Sequence, residues 1–185
     1  MAGKFDLSRV MAKIDAIGAG FANREAKVGF FPGAQYEDGT PVAYVATIQE
    51  FGAPEQAIPP RPFMRPTIED KKNEWSADIA GGMRRVLKGQ MTTDDVLDAV
   101  GAAAAADVAK TIAAGDFQAL SPITLMIRKM KDENKGDPNW RMSGAKVGEA
   151  ARRVAAGEPG SDRATPLDDT GLLIASVQHQ VGDPS

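Results

Sequence analysis

The chain has 185 residues, of which 43% are hydrophobic, 25% charged and 6% aromatic, with no cysteine and a single histidine, His179. The absence of cysteine excludes thiolate catalysis, cysteine-based zinc sites and iron–sulfur ligation, and one histidine excludes a histidine-rich metal site. Twenty-two basic residues against 25 acidic ones give a net charge of −3, which argues against a strongly basic nucleic-acid binder but leaves room for a local patch.

At this length the chain reads as one domain, 1–185, able to bury about 70% of its unfolded surface. Leu7, Val10, Met11, Ile14, Ile17 and Phe21 recur at helical spacing and predict a helix from about Asp6 to Ala22, capped by Asp6. The β-prone run from Ala26 to Phe31, stopped by Pro32-Gly33, predicts a strand. Thr40-Pro41 reads as an N-cap and first helical residue, opening a short helix that stops at Gly52, with Val42, Val45 and Ile48 on one face and Phe51 a further candidate for it.

Five of the twelve prolines lie between Pro54 and Pro66, which predicts a stiff extended arm up to about Arg65. Pro66 suits the first turn of a long helix to about Lys88, with Ile68, Trp75, Ile79, Met83 and Val86 as its buried stripe and Gly81-Gly82 as a weak point. Thr92 to Asp95 resembles a capping box and opens a second long helix ending at Gly115. Its alanine run, Ala102 to Ala106, predicts close packing against a neighbour; a weakly packed surface helix is the alternative.

Ser121-Pro122 starts a shorter helix to about Lys131. From about 132 to 166 the chain turns polar and reads as a semi-ordered insertion, with a helix from about Ser143 to Ala156 inside it. A short helix and a terminal strand, Val177 to Val181, close the order. Strands at both ends of a helical chain predict an α+β fold: a small antiparallel or mixed sheet of N- and C-terminal strands, covered by several helices including two long ones.

No catalytic, cofactor-binding or metal-binding constellation stands out. Asp168-Asp169 reads as caps and Asx-turn donors before it reads as an acid pair, and His179 has no nucleophile or partner assigned by spacing. Gly18-Ala-Gly20 lacks the rest of a dinucleotide fingerprint. Nine basic and six acidic residues between Arg128 and Arg163 describe a solvated face. The most apolar stretch, Val96 to Ala114, is interrupted by Asp98, Asp107 and Lys110, so no membrane span is expected. Asp15 interrupts any signal-peptide core, and a cytoplasmic site of synthesis is expected.

The proline arm differs, because Arg61, Pro62, Phe63 and Arg65 form a stiff segment carrying guanidinium and aromatic groups. Such a segment loses little entropy on docking. Two readings stand open: a partner-binding surface, or a connector whose Phe63 and Met64 plug the core. In the first, even spacing along an extended arm puts Arg61 and Arg65 on one side, facing carboxylates or carbonyls of an adjacent subunit. Trp140 is costly to leave in water and is expected at an interface too.

Glu50-Phe-Gly52 followed by Ile58-Pro-Pro-Arg-Pro-Phe-Met-Arg-Pro-Thr67 resembles a motif of a tailed-bacteriophage virion-morphogenesis family, the neck, tail-completion or head–tail-joining proteins. Leu120-Ser-Pro-Ile-Thr124 with Arg128 and Lys129, and Pro166-Leu-Asp-Asp-Thr-Gly171 through Leu173, Ser176 and Val181, resemble later blocks of the same family in the same order. The resemblance implies a structural virion protein without enzymatic activity, placed in the neck or at the tail top and in the host cytoplasm during assembly. Its implied partners are copies of itself in a ring, as a hexamer or dodecamer, and other neck, tail-terminator or tail-tube proteins. DNA would pass the channel without specific binding. The competing class is a nucleic-acid-binding regulator encoded by a mobile element, with the insertion as its basic contact.

Overall fold

The computed structural model describes residues 7–56, 58–162, 164, 167 and 171–184. Among these, the helices are α1 (Leu7–Ala22), α2 (Val42–Phe51), α3 (Met64–Leu87), α4 (Thr93–Ala114), α5 (Pro122–Glu133), α6 (Gly144–Ala155) and α7 (Leu172–Ala175). The strands are β1 (Glu25–Phe30) and β2 (Val177–Gly182). They pair antiparallel, with Glu25 opposite Gly182 and Val28 opposite His179, so the α+β fold with a small helix-covered sheet is the observed one.

Local chemistry explains the sharpest boundaries. Thr92 Oγ1 accepts from Asp95 N at 3.2 Å while Asp95 Oδ2 accepts from Thr92 N at 2.8 Å, a complete capping box with Asp in place of Glu. Gly115, in the left-handed conformation at φ 66°, ends α4. Ser121 Oγ accepts from Thr124 N at 3.1 Å, with Pro122 in the first turn of α5. Pro41 sits one place earlier than expected: it is itself the extended N-cap of α2, because Thr40 is held in a turn by Asp38, whose Oδ1 accepts from Thr40 N. The Asp6 cap expected for α1 lies outside the described residues.

α4 is the centre of the molecule. It packs along α3 and across both strands, burying Val96, Leu97, Ala104, Ala105, Val108 and Ile112. Of the alanine run, Ala104 and Ala105 are packed in, while Ala102, Ala103 and Ala106 stay exposed. The main core joins Val108 and Ile112 to Val42, Ala46, Phe63 and Leu173, with Phe30, Tyr36 and Phe117 around it. Each fully buried large side chain of this kind contributes about 1.5–3 kcal/mol. At the edge of the sheet, Arg24 ties β1 to α4 and β2, donating to both carboxylate oxygens of Asp94 and to Asp183 at 2.8–2.9 Å.

The stripe expected of α3 is corrected. In α3, Trp75, Ile79 and Val86 are half-buried but Ile68 and Met83 are exposed; the buried position is Thr67, whose hydroxyl bonds to Phe63 O and Thr111 Oγ1. Gly81-Gly82 lies within the continuous α3, with Val96 of α4 occupying the space beside Gly82. Within the segment from 132 to 166, α6 folds back on α5 and shares a small core with it. Met126, Met130 and Ala150 are buried there among Ile123, Ile127 and Val154. Arg153 bridges Glu133 and Glu158, and Lys129 Nζ donates to Glu158 at 2.9 Å and to Pro159 O at 3.0 Å. Arg153 first, then Lys129, hold the Glu158 carboxyl down at about 2.

Candidate functional site

The arginine–aromatic arm and the residues it meets form the candidate site, at the junction of α2, the arm and α3. A three-residue 3-10 turn, Pro54–Gln56, follows α2, and Ala53 and Ile58 pair their backbones across it. Gly52 makes this reversal possible. Its φ is 76°, and a Cβ there would lie 2.8 Å from Pro60 N.

The arm returns the chain to Glu50, a buried carboxylate in the last turn of α2. Its Oε2 accepts from Phe63 N at 2.7 Å and Met64 N at 2.9 Å, and its Oε1 from Arg65 N at 3.2 Å and Arg65 Nε at 2.9 Å. Arg65 Nη2 also donates to the Glu50 carbonyl at 2.8 Å. The N-cap of α3 is Phe63, which has no side-chain acceptor to offer, so Glu50 caps α3 from another helix and meets its positive end. Burial pushes the Glu50 carboxyl up, but the hydrogen bonds from Met64, Phe63 and Arg65 outweigh it, and the net position is below the usual carboxylate range. Saturated with donors and held ionised, this carboxylate acts as an anchor; it has no lone pair placed for proton transfer.

Two of the expected contact residues point inward. Phe63 is 1% exposed and meets Phe30 edge-on with ring centroids 5.8 Å apart. Arg61 is 8% exposed, donates through Nη1 to Gln49 Oε1 at 3.1 Å and through Nε to Gln118 O at 3.3 Å. Burial, then the charge of Arg128, lowers its affinity for the proton. Pro62 is half-buried between them. The expectation that Arg61 and Arg65 share one side of an extended arm fails for a simple reason. Helix α3 begins at Met64, so the two arginines belong to different elements.

Arg65 is the one that reaches the surface. Its guanidinium lies 4.9 Å from the centroid of the Phe51 ring, which is 62% exposed. Tyr44, one helical stripe further along α2, and Ile68, one turn further along α3, are exposed as well. The inner face of the motif thus closes the fold, and its outer face carries an arginine–aromatic patch. Trp140 is remote in sequence from this patch, in the connection between α5 and α6, where the Lys146 ammonium lies 4.7 Å over its ring.

The difference between the arginines is measurable. Arg61→Ala is expected to cost about 1.5–3 kcal/mol, since it strips charge-assisted bonds from a buried cavity lining. Arg65→Ala should cost about 1 kcal/mol or less, because its head is half in water and Glu50 keeps its backbone donors. Thermal melts of the two single variants check this; equal losses would contradict the inward–outward assignment.

His179 gains a partner that spacing could not assign. Its Nε2 lies 2.9 Å from Asp98 Oδ1, and its ring packs against Gly101, where a Cβ would come within 2.8 Å of Cδ2. Beside it, Ala102, Ala105, Ala106 and Ala109 line an open groove of about 440 Å³ against β2. Asp168 and Asp169 lie outside the described residues. Among the described residues no three His, Cys, Asp or Glu side chains group to hold a metal, and no helix is long and apolar enough to cross a membrane. Comparison with known proteins gives no matching family model, no matching curated protein and no matching solved structure.

Proposed function

We propose that this chain is a structural virion protein of a tailed bacteriophage, a subunit of a ring in the neck that completes the tail and joins it to the head. It works by binding and not by catalysis, next to other neck, tail-terminator or tail-tube proteins, and lets DNA pass without holding it. The phage part of this reading rests on the order of the three sequence blocks from Glu50 to Val181.

One observation in the structure supports the assembly part above the others. Leu7, Met11 and Ile14 form one stripe of α1 and are 62%, 51% and 46% exposed. Among the described side chains of α1, those of the second half, through Ile17 and Phe21 with Gly20 beside Thr93, rest on the domain. A helix half that stands off with its apolar stripe outward is short of a neighbour, since a helix this short is marginal in water by itself. A ring subunit supplies such a neighbour on each side.

Electron micrographs of particles made by the phage without this chain test the reading. Filled heads and unattached tails are the expected result, reversed when the chain is supplied. Joined, infectious particles in its absence would overturn it. Tight, salt-sensitive binding of DNA in gel shifts would favour the nucleic-acid-binding class instead.

A further inference from the structure

The α5–α6 hairpin is built as an arm. The two helices pack on each other, and among the described residues no other helix or strand packs extensively on either. Twelve residues of α5 give it a reach of about 18 Å. Its charge is opposite to that of the rest of the chain. Pro122 to Gly160 carries eight basic and five acidic residues, a net of +3, which leaves −6 for the remainder of a chain whose total is −3.

The net positive charge concentrates at the tip. Lys135 and Arg141 are exposed there, Lys146 lies over Trp140, and Met142 is half exposed beside them. Asp137 is the one acid between α5 and α6, and its Oδ1 accepts from Asn139 N at 2.8 Å. The Trp140 Nε1–H is buried without an acceptor among the described residues. The tip therefore offers two exposed cations, an apolar side chain and an aromatic–cation pair at the end of the hairpin.

The complementary surface is on the same chain. Asp70, Glu74 and Asp78 occupy successive turns of α3, spanning about 12 Å on one exposed flank. Lys71 serves Glu74 at 2.9 Å and Asp70 at 3.9 Å, while Asp78 has no cation partner among the described residues. We propose that the hairpin tip of one copy docks on this α3 flank of a second copy. The contact uses two different patches, so it is head-to-tail and repeats from copy to copy, as a ring requires. It rests on the ring reading and names the surfaces by which that ring closes.

Charge exchange tests it on the full chain. Sedimentation velocity of the wild-type protein should show self-association at low salt that weakens about ten-fold or more as the salt approaches physiological strength. Lys135→Glu with Arg141→Glu should abolish it, and so should Asp70→Lys with Asp78→Lys, both variants keeping wild-type circular dichroism. Mixing the two reversed variants should restore association. A wild-type protein that stays monomeric at about 1 mM and low salt overturns the proposal. So does a mixture that fails to associate, and so does association that survives either reversal. Tip-dependent DNA binding without self-association would overturn it in favour of a phosphate partner. The neck reading is decided separately, by the micrographs of particles lacking the chain.

Discussion

Glu50→Ala should destabilise the chain by about 3–4 kcal/mol, the largest effect expected of any polar substitution. The substitution removes the acceptor of three backbone N–H groups at the start of α3 and the counter-charge of Arg65 in one step. For a chain of this size that corresponds to a fall in melting temperature of about 6–16 °C. Glu50→Gln keeps the shape and one acceptor oxygen but loses the charge, and it should fall between wild type and alanine. The pH dependence has a fixed sign. Because the folded carboxyl sits below its ordinary value, its contribution is complete above the unfolded value of about 4.3 and is lost as pH falls through the folded one. The gap between wild type and Glu50→Gln in urea melts should therefore be widest near neutrality and narrow in acid. A gap that is constant with pH would mean that the carboxylate charge contributes nothing to holding α3.

Gly82→Ala should destabilise by about 2–3 kcal/mol, opposite in sign to what helix propensity requires. In an unpacked helix the change would add about 1 kcal/mol of stability. Here the new Cβ would lie 2.3 Å from Val96 Cγ1 and 2.7 Å from its Cγ2, and Val96 is itself buried in the core. Either α3 and α4 separate or Val96 leaves its rotamer, and both loosen the central helix. Gly81→Ala is the control. Its nearest neighbour is the flexible end of Arg84 at 3.7 Å, so it should be neutral or stabilising. Denaturant midpoints of the two variants read the contrast, and equal shifts would remove the α3–α4 contact from the account.

What could be read in advance was the chemistry that acts over a few residues. The Thr92–Asp95 box, the Ser121-Pro122 start, the Gly115 stop and both strands declare themselves within a turn or two of chain. What could not be read was chemistry spanning elements. Glu50 looks like any acid on a helix until residues 63 to 65 arrive beside it. A signal was there: α3 begins after Phe63, with no Ser, Thr, Asp or Asn to cap it, which requires an acceptor from elsewhere. The arm was misjudged in direction for a related reason. Alternation predicts which side a residue takes only while the strand geometry lasts, and it ends at Met64. The hairpin was underestimated because polar residues dominate its composition, whereas its packing needs only Met126, Met130 and Ala150 to coincide on two facing stripes.

The pairing of β1 with β2 has a consequence for the order of events in the cell. Arg24 meets Asp183 across a sequence separation of 159 residues, so the sheet closes only after β2 has left the ribosome. At about 5–20 residues per second, helices α2 to α4 have about 3–12 s and the local α5–α6 hairpin about 1–4 s to form before β2 is synthesised. During that interval the α4 surface that β2 will cover, including Gly101 and its alanine neighbours, is open to water and to other chains. A chain stopped short of Val177 would leave β1 without its partner strand and that α4 surface uncovered.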